Sequence, residues 1–87
     1  MSKEKIELAI AGKDVSFVPN VTAYNKYINE ITMNNKVSPA HNFLMRIVTP
    51  ETKEALETIL ALPGAALQVV GKVLEEYTPE LEITVKN

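Results

Sequence analysis

The chain has 87 residues, a net charge of -2 and no cysteine. That length makes one domain with a feasible but small core, burying roughly 60–65% of the unfolded surface. The absence of cysteine excludes disulfides and thiolate metal sites and points to a reducing cytoplasm, and the acidic balance disfavours a nucleic-acid backbone as partner.

Charge recurs at Glu7 and Lys13, so no apolar stretch of signal-peptide length opens the chain. The longest apolar run, 59–63, is too short to span a bilayer. Residues 1–48 carry six Lys/Arg against four Asp/Glu, and residues 49–87 carry three against seven. No run of like charge forms a tail or a polybasic anchor.

Ile6-Glu7-Leu8-Ala9-Ile10 alternates with the period of a half-buried strand, and so does Val15-Ser16-Phe17. Between them Ala11-Gly12-Lys13-Asp14 reads as a tight turn. A two-residue loop at Gly12-Lys13 pairs Ile10 with Val15 and Leu8 with Phe17, giving a hairpin over 4–18 with one apolar face. Pro19-Asn20 ends the second strand, and Thr22 is the expected cap of a helix running to about Thr32. Val21, Tyr24, Tyr27, Ile28 and Ile31 form its apolar side. Met33-Asn34-Asn35-Lys36 is a turn, in which paired asparagines tolerate left-handed geometry.

The next stretch, 37–48, is the expected centre of the fold. Ser38 caps it, Pro39 takes the first helical position, and Ala40, Phe43, Leu44, Ile47 and Val48 follow at the spacing of one buried face. Thr49-Pro50 repeats the cap-and-proline pattern and starts a third helix, which buries Ala55, Leu56, Ile59, Leu60 and Leu62. Pro63-Gly64 ends it. A fourth helix carries Ala66, Leu67, Val70, Val73, Leu74 and Tyr77 in phase. Gly71 inside that helix suggests close approach of a neighbour. Thr78-Pro79 closes the helical region, 22–77. The last residues, 80–87, contain Leu81-Glu82-Ile83-Thr84-Val85, which either adds a third strand to the hairpin or offers an edge to a partner. The expected fold is α+β: an N-terminal hairpin, four short helices and a possible C-terminal strand.

Chemistry needs convergent groups, and the chain supplies few. It has no cysteine nucleophile, and its one histidine, His41, has no partner at metal-ligand spacing. Glycine occurs only at positions 12, 64 and 71, so no phosphate-cradling loop forms. No enzyme, cofactor or metal centre is expected. Glu54 with Glu57, and Glu75 with Glu76, read as solvated helix faces. His41 reads as a first-turn polar residue, with contact to a partner as the alternative. Tyr24 and Tyr27 read as core or core rim, with an aromatic contact surface as the alternative. Met33 and Met45 read as gap-filling residues of the core or its rim.

Tyr24-Asn25-Lys26-Tyr27-Ile28-Asn29, followed by Asn34-Asn35-Lys36-Val37-Ser38-Pro39-Ala40-His41-Asn42-Phe43-Leu44, resembles a family of short tail assembly chaperones of tailed phages and prophages. Pro63-Gly64-Ala65-Ala66-Leu67 and the ending from Glu75 to Ile83 fit the same pattern. The resemblance implies a non-enzymatic assembly factor of the infected bacterial cytoplasm. It would coat the long, apolar tape measure protein, help recruit the tail tube protein and leave before the virion is complete. It also implies that many relatives have a longer, frameshifted form. An apolar stripe on a tape measure helix needs a complementary groove or strand edge. Tyr24, Tyr27, Asn34, Asn35, Lys36, His41 and Asn42 are the candidate partner surface, because uncharged polar and aromatic residues gather where the fold needs only a turn. Two other readings remain. One is a small structural tail or connector protein of the virion. The other is a DNA-binding regulator, whose second helix at 49–62 would carry three glutamates against one lysine, the wrong sign for phosphate.

Overall fold

The structure is a computed structural model and describes residues 5–86. Glu4 and Asn87, the outermost residues of the expected hairpin and tail, lie outside the described residues. Two strands, β1 (Ile6–Ile10) and β2 (Lys13–Phe17), precede four helices: α1 (Val21–Glu30), α2 (Val37–Ile47), α3 (Lys53–Leu60) and α4 (Ala65–Tyr77). A single 3₁₀ turn, Pro50–Thr52, leads into α3. The α+β architecture is the one the sequence pattern implies.

The hairpin register differs from expectation by two residues. Ile10 faces Lys13, Leu8 faces Val15 and Ile6 faces Phe17, so the loop is Ala11-Gly12. Both loop residues have positive φ, 50° and 81°, as a type I′ turn requires. A slip of two keeps every side chain on its face, so the apolar pattern alone does not separate the registers. The expected register would set Ile6 opposite Pro19, which has no N–H for the ladder. The observed one pairs two buried side chains, Ile6 and Phe17.

The cap of α1 is Asn20, not Thr22: its Oδ1 accepts from the Ala23 N–H at 2.8 Å. This cap satisfies one of the free donors of the first turn. The helix ends at Glu30 and turns Ala23 and Tyr27 inward, while Val21 and Ile28 face solvent. Two backbone hydrogen bonds between Thr32 and Asn35, at 3.1 and 3.3 Å, close the following turn. Neither asparagine there has positive φ.

At α2 the expected face is observed. Ala40, Phe43, Leu44 and Ile47 are buried and Val48 is half-buried. The start is not as expected: Lys36 holds the cap position and no side chain caps the helix. Pro39 is therefore the third helical residue, still within the first turn where its missing N–H has no intrahelical role. Helix α2 packs on α1, α3 and α4 and is the centre of the core. After it, Val48 and Thr49 run extended beside β2. Val18 N–H donates to Ile47 O at 2.7 Å, and Thr49 N–H donates to Ser16 O at 2.9 Å. This short link covers part of the outer edge of β2 and pins the helices to the hairpin.

The third and fourth helices bury Leu56 and Ile59, and Ala65, Ala66, Val69, Val70 and Val73. Leu62 and Leu67, both expected inside, are exposed. Leu62 follows the end of α3, and Leu67 lies on the outer face of α4, where Val69 takes the inner position. Gly64 starts α4 from left-handed geometry, φ 76°. Among the described residues the neighbour expected at Gly71 is absent: none lies within 4 Å of where a Cβ would stand. Thr78 ends α4, its N–H and hydroxyl both donating to Leu74 O at 2.9 and 2.8 Å. Residues 79–86 form no strand. They extend the chain, and the radius of gyration, 13.9 Å, exceeds the ~12 Å of a compact domain this long.

Candidate functional site

The seven candidate residues separate into a buried part and an exposed part. Tyr27 is in the core, its ring stacked on Phe43 at 5.1 Å. Burial, and then the neighbouring Tyr24, push the Tyr27 phenol above its ordinary value, so it stays neutral. Tyr24 is half-buried and tilted against Tyr77 at 6.0 Å. Asn34, Asn35 and Lys36 are exposed on the α1–α2 turn, and His41 and Asn42 are exposed on α2. Five of the candidates are thus exposed polar residues of the α1–α2 turn and the first half of α2, whereas Tyr27 belongs to the core.

Three apolar residues of the α1–α2 pair and its turn were missed as surface. Met33 is 92% exposed in the turn, and Ile28 of α1 and Val37 at the start of α2 are exposed as well. Met33 reads as filler by composition, but it stands in a four-residue turn whose backbone bonds close upon themselves, leaving its side chain no wall to meet. In the last turn of α2, Arg46 Nη1 lies 3.6 Å from Glu30 Oε1 at the end of α1 and ties the two helices. The oxygen is buried and the separation is beyond a hydrogen bond, so the tie is electrostatic and worth at most ~1 kcal/mol.

Two apolar grooves lie elsewhere on the surface. One, of about 530 Å³, lies between Leu8 and Ile10 of β1 and Ile59, Leu62, Val69 and Lys72 of the helices. The other, of about 490 Å³, lies between Val21 and Tyr24 of α1 and Tyr77, Pro79 and Leu81. Among the described residues, no three His, Cys, Asp or Glu side chains are placed to hold a metal ion, and no helix is long and apolar enough to cross a membrane.

This fold is a small α+β domain with exposed apolar and amide side chains on a packed helical core. The sequence profile of the phage tail assembly chaperones matches residues 6–87, and the chain belongs to that family. It is 44% identical over 85 residues to an uncharacterised 11.3 kDa protein of Haemophilus phage HP1 (strain HP1c1), a match covering 98% of this chain and 83% of that protein. No solved structure matches the chain. The family match includes every segment on which the sequence resemblance rests.

Proposed function

We propose that this tail assembly chaperone acts without catalysis, by binding the tape measure protein in the bacterial cytoplasm and keeping its apolar helices soluble. In this reading it also presents the complex to the tail tube protein and is absent from the finished virion. The observation that carries the reading is the family match over nearly the whole chain. The exposed end of the α1–α2 pair supplies the contact: Met33, Val37 and Ile28 for an apolar stripe, with Asn34, Asn35, Lys36, His41 and Asn42 around them for polar groups. Tyr24, half-buried against Tyr77, and Tyr27, packed in the core, are the aromatic residues assigned to this contact.

The test is co-expression with the tape measure protein of the same phage. The unmodified chaperone co-purifies with its partner and raises the partner's soluble yield. Met33→Glu combined with His41→Ala lowers co-purification by about tenfold or more, because burying a methionine contributes ~1.5–3 kcal/mol and each 1.4 kcal/mol is tenfold. Circular dichroism stays unchanged, since both residues are exposed. Undiminished co-purification by the double variant would remove this surface from the proposal.

A further inference from the structure

The hairpin leaves one edge open. The sheet has two strands, and the link at Val48 and Thr49 lies beside β2, so β1 has no second strand partner among the described residues. An open edge beside an apolar groove is a template for strand addition. Residues 81–86 have the matching pattern. Leu81, Ile83 and Val85 are apolar and exposed, Ile83 by 82%, and they alternate with Glu82, Thr84 and Lys86. Within one chain, this segment departs from the far end of α4. The β1 groove uses the first half of α4, up to Lys72, whereas Pro79 and Leu81 stand beside Val21 and Tyr24.

We propose that residues 81–86 of one copy add antiparallel to β1 of a second copy. Pairing Leu8 with Val85 and Ile10 with Ile83 puts all four on the groove face, since directly opposed residues share a face. Glu7 then faces Lys86, and Thr84 faces Ala9. Glu82 falls beside Ala11, past the last paired residue of β1. A fully overlapped parallel strand with the same faces would instead set Glu82 against Glu7, a like-charge pair that opposes assembly. Each copy carries one donor strand and one acceptor edge, so the contact closes reciprocally in a dimer or continues head to tail.

Because the chain lacks cysteine, single substitutions report this geometry cleanly. Full-length chains with Glu7→Cys are mixed with full-length chains carrying Lys86→Cys under mild oxidation. Opposed antiparallel residues lie about 4.5–5.5 Å apart at Cα, within disulfide range. The mixed dimer forms about tenfold faster than with Glu82→Cys in place of Lys86→Cys, and adding Ile83→Lys to the Lys86→Cys chain slows it by about tenfold. Ile83 is exposed, so the monomer keeps its circular dichroism spectrum. The unmodified chain sediments above monomer mass at high micromolar concentration. The proposal is overturned by equal rates for the two cysteine pairs, by a faster Glu82→Cys pair, or by monomer mass at every concentration. It is also overturned if a Glu7→Cys/Lys86→Cys double variant closes within one chain while the mixture gives no dimer.

Discussion

Thr52 is the most exacting test of how the helices are held to the hairpin. Its Oγ1 accepts from the Ser16 N–H at 3.1 Å and lies 2.8 Å from the Thr49 Oγ1, joining β2 to the 3₁₀ turn across 36 residues. The hydroxyl has one hydrogen. The contacts to Ser16 O and Thr49 O, at 3.4 and 3.5 Å, are too long to compete with the hydroxyl pair. Thr52→Val keeps the shape and removes the oxygen, stranding the N–H of Ser16, the buried polar residue of the core. A buried donor left without a partner costs ~1–3 kcal/mol. Thr52→Ser keeps both hydrogen bonds and removes one methyl, below ~1 kcal/mol. The whole domain holds about 4–13 kcal/mol at this length, so the valine variant loses a large share. Thermal unfolding shows a fall of about 5–20 °C for valine and a smaller one for serine. A valine variant melting within about 2 °C of the parent, or a serine variant falling as far as valine, would refute the reasoning.

Two further outcomes follow from the structure. Burial holds the Tyr27 phenol neutral, its ionisation raised above the ordinary value. The unfolded chain loses that proton first, so the contribution is present below pH ~10 and is lost as pH rises through the folded value. Tyr27→Phe therefore resists alkaline unfolding better than the parent in a pH titration at fixed urea, and an identical profile would show that this phenol does not drive it. Gly71 has open space around it on an exposed helix face, so Gly71→Ala stabilises by up to ~1 kcal/mol in urea melts; destabilisation there would reveal a neighbour.

What the sequence made legible follows from periodicity, and what it hid follows from tertiary choice. The face of α2 was readable because four buried residues recur in phase over eleven positions. The faces of α1 and α4 were misread in part, since Val21, Ile28 and Leu67 are apolar and near enough in phase that only the packed core distinguishes them from Ala23 and Val69. Caps were placed on the wrong residue at both α1 and α2. Thr22 and Ser38 are good cap types, but the actual boundaries begin earlier and leave them within the helix. The pairing of Val48 and Thr49 with β2 left no sequence signature, because an extended link so short has no period. The C-terminal alternation has the period of a strand, yet no strand forms there: the sheet has only β1 and β2, and residues 79–86 pair with neither. At the candidate surface the polar turn was legible, whereas Met33 was misjudged because hydrophobicity says what a side chain favours and not whether the backbone gives it a wall.

The contrast between buried Tyr27 and the exposed candidates decides which experiments can speak about binding. Tyr27 stacks on Phe43, itself fully buried at the centre of α2, so removing the ring opens the core where α1 and α2 meet. Loss of a buried aromatic costs ~3–5 kcal/mol, comparable to the whole margin of a domain this small. A Tyr27→Ala variant that no longer holds a partner would therefore report unfolding as readily as a lost contact. Met33, His41 and Asn42 stand clear of the core. Their removal leaves stability intact, so any loss of partner binding belongs to the surface. The same reasoning separates the open β1 edge from the hairpin that bears it. Leu8 and Ile10 also pack on the core, whereas Ile83 and Lys86 do not. Association between copies is accordingly best interrogated from the donor strand.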